Sequence, residues 1–551
     1  MKKSKLLMTI LLSMVMLLTA CQTASNSSSA TSNPASTASS TASSAASSEA
    51  VTEGPAVLEG NHDLRVEIFE RGVAGQLPAD KSFHTMWILE EFKKDYPNIN
   101  LSYHPVPRAQ ELDMLNILMA TGEAPDICIL YNEPILMNYV MQGGVADLTE
   151  ALDKYGPNLK GYLKDSLPFG VIDGKQYALT AKRVNLQSQT AYIRSDWLAT
   201  LGLPVPSTTQ EFYETMVAFK EKDPGGLGAE TIPYVINADP NEATWTVQWL
   251  VDSFTEPMSE EDFYCLRELL YPGVKEGLRL VNKMYNEGLL NADFALDNDK
   301  QSMRQLISRG VVGAFQNNTN FPLGNNADAL LTNIQANVPG GDLIPMDPFV
   351  NSEGVTRKRM YSPTGVYIFV PSFSKSVDAA VTYLDWLSKP ETLKYLQNGI
   401  EGHHWELRDG IPYQLQVPDD DPRRMSATNL DVTLTTNGQD LSWTLGGDPA
   451  LNPKLFASTF QDPHHRELYE LEYEIGIKNG YMRPRFDRPI DSELSLSSVL
   501  KQFEVQIFVN VVSAPEANFD AVWDKMIAEY LVMGAQEVMD AKREAFKEMK
   551  G

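Results

Sequence analysis

The sequence predicts an α/β protein built from two lobes, and two observations lead to this expectation. First, segments with the two-residue alternation of a buried strand are followed by segments with the spacing of an amphipathic helix. Leu64, Val66 and Ile68 alternate in the first strand, and the helix after it places Trp87 and Phe92 on one side. Second, the chain has 551 residues, more than a single hydrophobic core usually serves.

The same alternation continues along the chain. A second strand is predicted from Asn98 to Tyr103, and a helix from about Gln110 to Ala120. Gly122 stops that helix, and an apolar strand follows Pro125.

A strand followed by two helices is predicted within residues 365–405. The strand alternates apolar residues, and the first helix has one apolar face. Ser388 and Glu391 have the spacing of a capping box, so the second helix is predicted to begin there. Gly399 can end that helix, which leaves residues 401–405 as an exposed loop.

The N-terminus predicts export and lipid anchoring. Residues 1–20 combine a basic start with an apolar run, as secretory signals do. Residues 18–21 read Leu-Thr-Ala-Cys and match the lipobox, in which the cysteine, here Cys21, is lipidated. The alternative is a plain signal peptide with a cysteine there by chance. Residues 21–58 are mostly Ser, Thr, Ala and Asn, and we expect a disordered tether. No other apolar run is long enough to span a bilayer. The predicted location is the outer face of the cell membrane of a Gram-positive bacterium.

Composition and motifs exclude several classes of function. The formal net charge of −26 disfavours nucleic acid and anionic membranes as partners. The sequence has no Gly-rich phosphate loop, no Gly-x-Ser-x-Gly elbow and no His-Glu-x-x-His motif. Two adjacent histidine pairs do not share a face of a helix or strand, so a shared metal is not expected. Acidic residues are numerous enough that a glycosidase pair stays possible, although nothing singles out two carboxylates. We therefore expect no enzymatic activity, no cofactor and no metal.

Two cysteines remain once Cys21 is assigned to the lipid. Cys128 lies in an apolar strand and is predicted to be a buried thiol. A disulfide with Cys265 is possible in an extracytoplasmic compartment, but two cysteines give no disulfide framework. We expect the pair to be unlinked.

Several short motifs occur in an order that resembles one protein family. They are the Ala-Thr-Gly-x-x-Pro-Asp-Ile turn at 120–127, Asp-Gly-Lys-x-Tyr at 173–177, Arg-x-Asp-Trp-Leu at 194–198, the Asp-Trp-Leu helix at 385–387 and the Gly-x-Glu-Gly turn at 399–402. The family is the extracellular solute-binding proteins of family 1, which include maltose-binding protein, and the resemblance is greatest to their large lipoprotein branch. It implies the two-lobed periplasmic-binding-protein-like fold of type II. The lobes would be discontinuous, residues 59–184 and 362–460 in one and residues 185–361 and 461–551 in the other, and they would be joined by crossing segments.

The resemblance also implies a function. The chain would be the monomeric receptor of an ABC importer, which closes on an oligosaccharide or other complex glycan and presents it to a membrane permease. Two other functions stay open, a surface-anchored glycosidase or lyase and a sensory binding protein. The identity, length and charge of the sugar are not given by the sequence.

The resemblance places one set of ligand-binding residues directly after a strand. Tyr131, Asn132 and Glu133 follow the apolar strand that ends at Leu130 and would line the cleft. Ligands of open α/β sheets lie beyond the carboxyl ends of strands, which agrees with that placement. Asn185 and Gln187 would lie near the hinge, where amides can both donate to and accept from sugar hydroxyls. The alternatives are a polar loop and a solvent-facing strand edge.

Further candidates are aromatic or amide side chains. Trp245 could stack on a pyranose ring, although Trp249, four residues on, would share its helix face and is expected in the core. Gln316, Asn317 and Asn318 follow an apolar strand, where amides are poor core residues. Two more tryptophans are expected near the cleft, and they are Trp405 in the 401–405 loop and Trp443 in the 406–460 insertion.

One family feature is altered in this chain. Many relatives carry oxygen ligands after an Ala-Phe-Lys-x-x-Asp-Pro segment, which resembles a calcium loop. Here Gly225 and Leu227 replace two of those ligands, while Asp223 and Glu230 remain. Calcium binding near Asp223 is therefore an open question, and we predict no metal.

Overall fold

The computed structural model describes most of the chain after its N-terminal segment. The described residues are 58–71, 77–240, 242–325, 329–418, 420–425, 429–486 and 488–551. The predicted signal peptide, the predicted lipidation site at Cys21 and nearly all of the predicted tether lie outside these residues. No helix in the described ranges combines the length and the apolar character that a membrane crossing needs.

The first group of strands forms two sheets. His62–Glu70 pairs in parallel with Ile99–Pro107, and a bridge from Val66 to Ile127 joins this pair to the next strand in the same direction. The second sheet has the order Thr436–Asn437, Ala178–Arg183, Thr364–Phe369, Cys128–Leu130. Apolar residues of both sheets meet in one buried core with the helix Val377–Leu387.

The second group of strands forms one four-stranded sheet with the order Leu343–Met346, Gln189–Arg194, Val312–Asn318, Ile232–Val235. Ile232–Val235 and Val312–Asn318 are parallel, and Gln189–Arg194 runs against them. Apolar residues of this sheet pack in a second core against the long helix Asp491–Ser513. The helical C-terminal part of the chain thus packs against the second lobe.

The remaining short strands form hairpins or small pairs. They are Val171–Ile172 with Lys175–Gln176, Lys358–Arg359 with Gly480–Tyr481, and Trp405–Arg408 with Ile411–Gln414.

Helices cover both faces of these sheets. Their bounds are Phe83–Asp95, Glu111–Thr121, Glu133–Met141, Thr149–Tyr155, Pro157–Tyr162, Ser195–Leu201, Thr209–Lys222, Gln248–Asp252, Glu260–Cys265, Val274–Asn286, Gln301–Ser308, Leu330–Asn337, Val377–Leu387, Pro390–Asn398, Asn429–Thr433, Leu441–Leu445, Asn452–Ala457, Pro463–Ile477, Asp491–Ser513, Phe519–Tyr530 and Gln536–Lys550.

The two cores draw on alternating parts of the chain. One contains residues from 58–181 and 366–434, and the other contains residues from 191–349 and 500–538. Ala457 and Phe460, which the sequence assigns to the first lobe, lie in a buried cluster with Tyr192 of the second. The contacts of this segment therefore favour a boundary before residue 457, and the other lobe boundaries stay predictions.

The segment around residues 365–405 confirms the predicted order of elements but not every detail. The strand is Thr364–Phe369, and Gly399 ends the second helix with a φ of 75°. The predicted capping box is wrong, because the Ser388 hydroxyl donates to the Leu384 carbonyl and Lys389 occupies the N-cap position without a side-chain bond. The 401–405 loop is only partly exposed, since His404 and Trp405 are buried.

Both described cysteines are buried free thiols. Cys128 lies in the strand Cys128–Leu130 of the first lobe, and Cys265 ends the helix Glu260–Cys265. Burial raises the pKa of the Cys128 thiol well above its ordinary value. The expectation that the two cysteines are unlinked is confirmed.

Candidate functional site

Three neighbouring strands of the first lobe end at the same edge. Arg71 follows His62–Glu70, Arg108 follows Ile99–Pro107, and Tyr131 follows Cys128–Leu130. These strands run in the same direction, so their carboxyl ends come together. In open α/β sheets this is the edge at which ligands bind.

The Tyr131 ring is the centre of this group. It stacks on the Phe69 ring with centroids 6.2 Å apart. The Arg108 guanidinium lies 4.4 Å from the Tyr131 centroid and 5.3 Å from that of Phe69. Burial lowers the pKa of Arg71, but Asp431 and the Tyr131 hydroxyl raise it above its ordinary value. The first-lobe wall is therefore an aromatic surface bordered by cations.

Two of the arginines at this wall have carboxylate partners. Arg71 donates from Nε and from one terminal nitrogen to the two oxygens of Asp431, each at 2.7 Å. Asp431 is only 2% exposed. Arg108 lies 2.9 Å from the Glu111 carboxylate. Burial raises the pKa of Glu111, and the nearby arginines oppose that shift without cancelling it. Both pairs are fixed parts of the wall.

Arg183 completes the wall at the end of the strand Ala178–Arg183. Its guanidinium lies 4.2 Å from the centroid of the Tyr361 ring, a cation–π distance. Its Nε donates to the Thr364 carbonyl at 3.3 Å. Burial lowers the pKa of Arg183. Tyr361 in turn donates its hydroxyl to Asn318 Oδ1 at 2.6 Å, so this side chain contacts both walls.

The second-lobe wall begins where the strand Val312–Asn318 ends. Asn318 is half-buried and bonded to Tyr361. Asn317 is 1% exposed, and its Nδ2 finds no acceptor in the described part of the chain. Gln316 is buried within the lobe, where it donates to Gln189 at 2.7 Å and accepts from the Trp249 amide at 3.1 Å. Of the three predicted amides, Asn318 thus joins the Tyr131 group through Tyr361, whereas Gln316 bonds within its own lobe.

Trp245 lies on the second lobe in the helical turn Ala243–Thr246. It is half-buried, and its amide donates to the Glu242 carbonyl at 2.9 Å, while its indole makes no ring contact or hydrogen bond with the residues that the structure describes. Glu242, three residues before it, forms an ion pair with Lys300. Burial is the main cause that raises the pKa of the Tyr361 hydroxyl, and the charge of Glu242 adds to that rise. Trp249 is buried in the second core, as expected.

The two residues after Tyr131 have defined partners. Asn132 is exposed and caps the helix Glu133–Met141, since its side chain accepts from the Ile135 amide at 3.2 Å. Glu133 accepts from Arg485 Nε at 2.7 Å, and Arg485 also donates to the Phe169 carbonyl at 3.0 Å. Glu133 therefore ties the first lobe to the segment that precedes the helix Asp491–Ser513.

The predicted hinge amides form a separate cluster. Asn185 and Gln187 both donate to the Tyr469 hydroxyl, at 3.4 and 2.9 Å. Gln187 is 1% exposed, and the carbonyl oxygens of both amides have no donor among the described residues. This cluster centres on the helix Pro463–Ile477, and the structure does not bring it into contact with Tyr131.

Of the two other predicted tryptophans, Trp405 is buried, and Trp443 is half-buried against the core of the first lobe. Trp405 is 2% exposed and donates its Nε1 to the Gly399 carbonyl at 3.1 Å. Trp443 donates to the Ser388 carbonyl at 2.8 Å and lies 5.0 Å from the Tyr162 ring. The structure does not join either to the Tyr131 group, and the Trp405 indole offers no open face in this conformation.

Asp223 is one of the two residues that remain from the family's calcium loop, and its carboxylate accepts hydrogen bonds from its own loop. It accepts from the amides of Leu227 and Gly228 at 2.9 and 2.8 Å and from the Thr231 hydroxyl at 2.6 Å. Glu230 pairs with Arg309 instead. The described ranges contain no group of three His, Cys, Asp or Glu side chains that could hold a metal ion.

Sequence reasoning missed Arg71, Arg108, Arg183 and Tyr361. The first two follow strands that run parallel to the strand before Tyr131, so the strand-end argument would have found them. Arg183 lies two residues before the hinge candidate Asn185. Tyr361 had no signal beyond its place just before the strand Thr364–Phe369.

Comparisons with known proteins agree with this architecture. A family model described as bacterial extracellular solute-binding protein matches residues 74–394. Lipoprotein LipO of Bacillus subtilis (strain 168) is 27% identical over 360 residues, which cover 63% of this chain and 68% of that protein. The polygalacturonan/rhamnogalacturonan-binding protein YtcQ of the same organism is 25% identical over 474 residues, covering 82% of this chain and 86% of that one.

The fold is also similar to that of a solved structure. FusA of Streptococcus pneumoniae, an ABC-transporter substrate-binding protein in complex with kestose, superimposes with a TM-score of 0.61. The sequences are 14% identical, and the match covers 89% of this chain and 99% of FusA. The two-lobed type II fold predicted from the sequence is confirmed.

Proposed function

Because the chain belongs to the bacterial extracellular solute-binding proteins, we propose that it binds an oligosaccharide between its lobes and delivers it to an ABC permease. The relatives support a glycan as ligand, since YtcQ is named for binding polygalacturonan and FusA was solved with kestose. These two sugars differ in charge, so the relatives do not decide the charge of the ligand.

The observation that carries the proposal is the position of Tyr361. Its ring contacts Arg183 of the first wall, and its hydroxyl bonds Asn318 of the second. A ligand beside Tyr361 would therefore meet side chains of both lobes at once. Such a ligand stabilises the closed arrangement by the contacts that only the closed arrangement offers. The closed form is then the state that the permease recognises.

The side chains on the two walls suit a sugar. Pyranose rings offer apolar faces, and half-buried aromatic rings such as Trp245 and Tyr131 can stack on them. Hydroxyl groups need donors and acceptors, which Asn317 and Asn318 supply. We keep Tyr131, Trp245, Asn317 and Asn318 as the proposed sugar contacts.

The anchoring is part of the same proposal. Lipid at Cys21 would hold the chain on the outer face of the membrane, and a tether of about 30 residues spans roughly 30 Å. That span lets a single copy reach a permease in the same membrane. Mass spectrometry of the membrane-extracted protein would test it, because the Cys21→Ala variant should lose the lipid mass and appear in the medium.

The experiment that tests binding is calorimetry of the purified chain against a panel of neutral and acidic oligosaccharides. We expect one class to bind and to be recovered uncleaved. Trp245→Ala should weaken that binding about tenfold to a hundredfold, on the scale of a lost stacking contact and its buried surface. Phe373→Ala is the matched control, since Phe373 is an exposed aromatic residue outside the proposed site.

Two results would contradict the proposal. Recovery of only cleaved sugar would identify a glycan-active enzyme. Failure of every oligosaccharide to bind the intact protein would remove the glycan assignment.

A further inference from the structure

The arginines near Tyr131 differ in how their charges are balanced. Arg71 is matched by Asp431 at 2.7 Å, and Arg108 by Glu111 at 2.9 Å. Arg183 forms no ion pair with any carboxylate of the residues that the structure describes. The wall therefore carries one uncompensated positive charge, in a protein whose formal net charge is −26.

The surroundings of Arg183 hold its guanidinium in place without neutralising it. The Tyr361 ring covers it at 4.2 Å, and the Thr364 carbonyl takes the Nε hydrogen at 3.3 Å. An arginine stays protonated in proteins and has five donors, of which the Thr364 contact uses one. Taking a cation out of water is costly unless an anion accompanies it. Because no described side chain supplies that anion, a ligand is the natural source.

We infer that Arg183 binds a carboxylate of the ligand, so that the solute is an oligosaccharide containing uronate residues. This inference rests on the proposed function, since it specifies the sugar that the same cleft takes. A planar guanidinium matches a carboxylate with two parallel hydrogen bonds. One unbalanced arginine supplies the opposite charge for one carboxylate of such a sugar.

The other arginines strengthen this preference. Arg108 lies 4.4 Å from the Tyr131 centroid. Burial lowers the pKa of Arg183, and the nearby hydroxyls of Tyr361 and Tyr131 oppose that shift. A sugar stacked on Tyr131 would therefore place its substituents between two guanidinium groups. Asp431 and Glu111 are held by their own arginines, so neither carboxylate is left to repel the ligand there.

The test compares each acidic sugar with a neutral sugar of the same shape. The probes are the trimers of galacturonate, mannuronate and guluronate, and each is paired with its carboxyl-reduced counterpart. Calorimetry on the full chain gives the affinity ratio within each pair. We expect at least one uronate trimer to bind ten times or more tightly than its reduced counterpart, on the scale of a charge-assisted hydrogen bond. Added salt should lower this ratio.

Variants then assign the preference to Arg183. Arg183→Gln should bring the ratio for the preferred pair close to one, whereas Arg183→Lys should keep part of it, since lysine retains the charge without the planar fork. Arg309→Gln is the matched control. It also removes one positive charge, but from an exposed ion pair with Glu230 on the surface of the second lobe. Thermal unfolding of each variant verifies that the fold is intact.

The outcomes separate this inference from the proposed function. If neutral oligosaccharides bind and no uronate binds more tightly than its reduced counterpart, the inference is refuted and the proposed function stands. If a uronate preference survives in Arg183→Gln, another group carries it and Arg183 is not the carboxylate site. If neither acidic nor neutral oligosaccharides bind the wild-type chain, the proposed function itself fails. The wild-type comparison needs no variant, so a variant that does not fold leaves the test intact.

Discussion

Replacement of Glu67 by glutamine is expected to stabilise the protein above pH 5. Glu67 lies in the strand His62–Glu70 and is 1% exposed. Burial raises the pKa of its carboxyl from the ordinary 4.5 to about 8, while the Ile129 amide, which donates to it at 2.9 Å, lowers it and Glu111 adds to the rise. Near neutral pH the folded protein therefore holds a proton at Glu67 that the unfolded chain has already released.

The sign and size of the effect follow from this difference. A carboxyl whose pKa is higher in the folded state contributes its full stability below the unfolded value of 4.5, and that contribution falls as the pH rises toward 8. Each pH unit between these values costs about 1.4 kcal/mol, so the wild type loses roughly 3 kcal/mol by pH 7. Glutamine stays neutral and resembles the protonated carboxyl, so Glu67→Gln avoids this loss.

The assay is urea unfolding followed by tryptophan fluorescence at pH 5, 6, 7 and 8. The variant and the wild type should unfold at similar urea concentrations at pH 5. As the pH rises above 5, the midpoint of the variant should exceed that of the wild type by a growing amount. Glu150→Gln serves as the control, because Glu150 is exposed on the helix Thr149–Tyr155 and should change stability by no more than about 0.5 kcal/mol. A variant that is less stable at pH 7, or a difference that does not grow with pH, would refute the reasoning.

Two further predictions concern ion pairs that the structure defines. Asp431→Asn leaves the Arg71 guanidinium without its buried carboxylate. The free energy of unfolding should fall by about 3 kcal/mol, the lower end for a broken buried pair because Arg71 is partly exposed. A melting temperature equal to that of the wild type would contradict this. Glu133→Gln removes the contact to Arg485, a partly exposed pair worth about 0.5 kcal/mol. Because this pair joins the two lobes, its loss should roughly double the ratio of open to closed unliganded protein, and small-angle scattering should show a larger radius of gyration. A smaller radius would contradict the role assigned to the pair.

The fold was more accessible to sequence reasoning than the site, and particular residues show why. Alternation and helix periodicity located the strand Thr364–Phe369 and the helices after it, because these patterns depend on neighbours in the sequence. The Ser388–Glu391 spacing was misleading, since the Ser388 hydroxyl bonds backward to Leu384. In a capping box the hydroxyl oxygen would instead accept from the Glu391 amide, and how the two helices meet decides between the two arrangements.

The site depends on contacts between distant parts of the chain. Tyr131 could be proposed from its place after a strand, but its arginine neighbours come from positions 71, 108 and 183. Whether an arginine has a carboxylate partner is decided by the fold, so the unbalanced charge of Arg183 has no signature in the sequence. Trp405 has the aromatic side chain of a stacking residue, and only tertiary packing places its indole in the interior.

The two buried cysteines give the molecule one chemical reporter in each half. Cys128 lies inside the first-lobe sheet, and Cys265 lies in a helix that packs against the C-terminal helix Gln536–Lys550. A buried thiol reacts with a reagent only when its surroundings open, so its modification rate measures the local opening equilibrium. Because the two thiols lie in different halves and are not linked to each other, the native chain lets the local opening of each half be timed separately, with no engineered label.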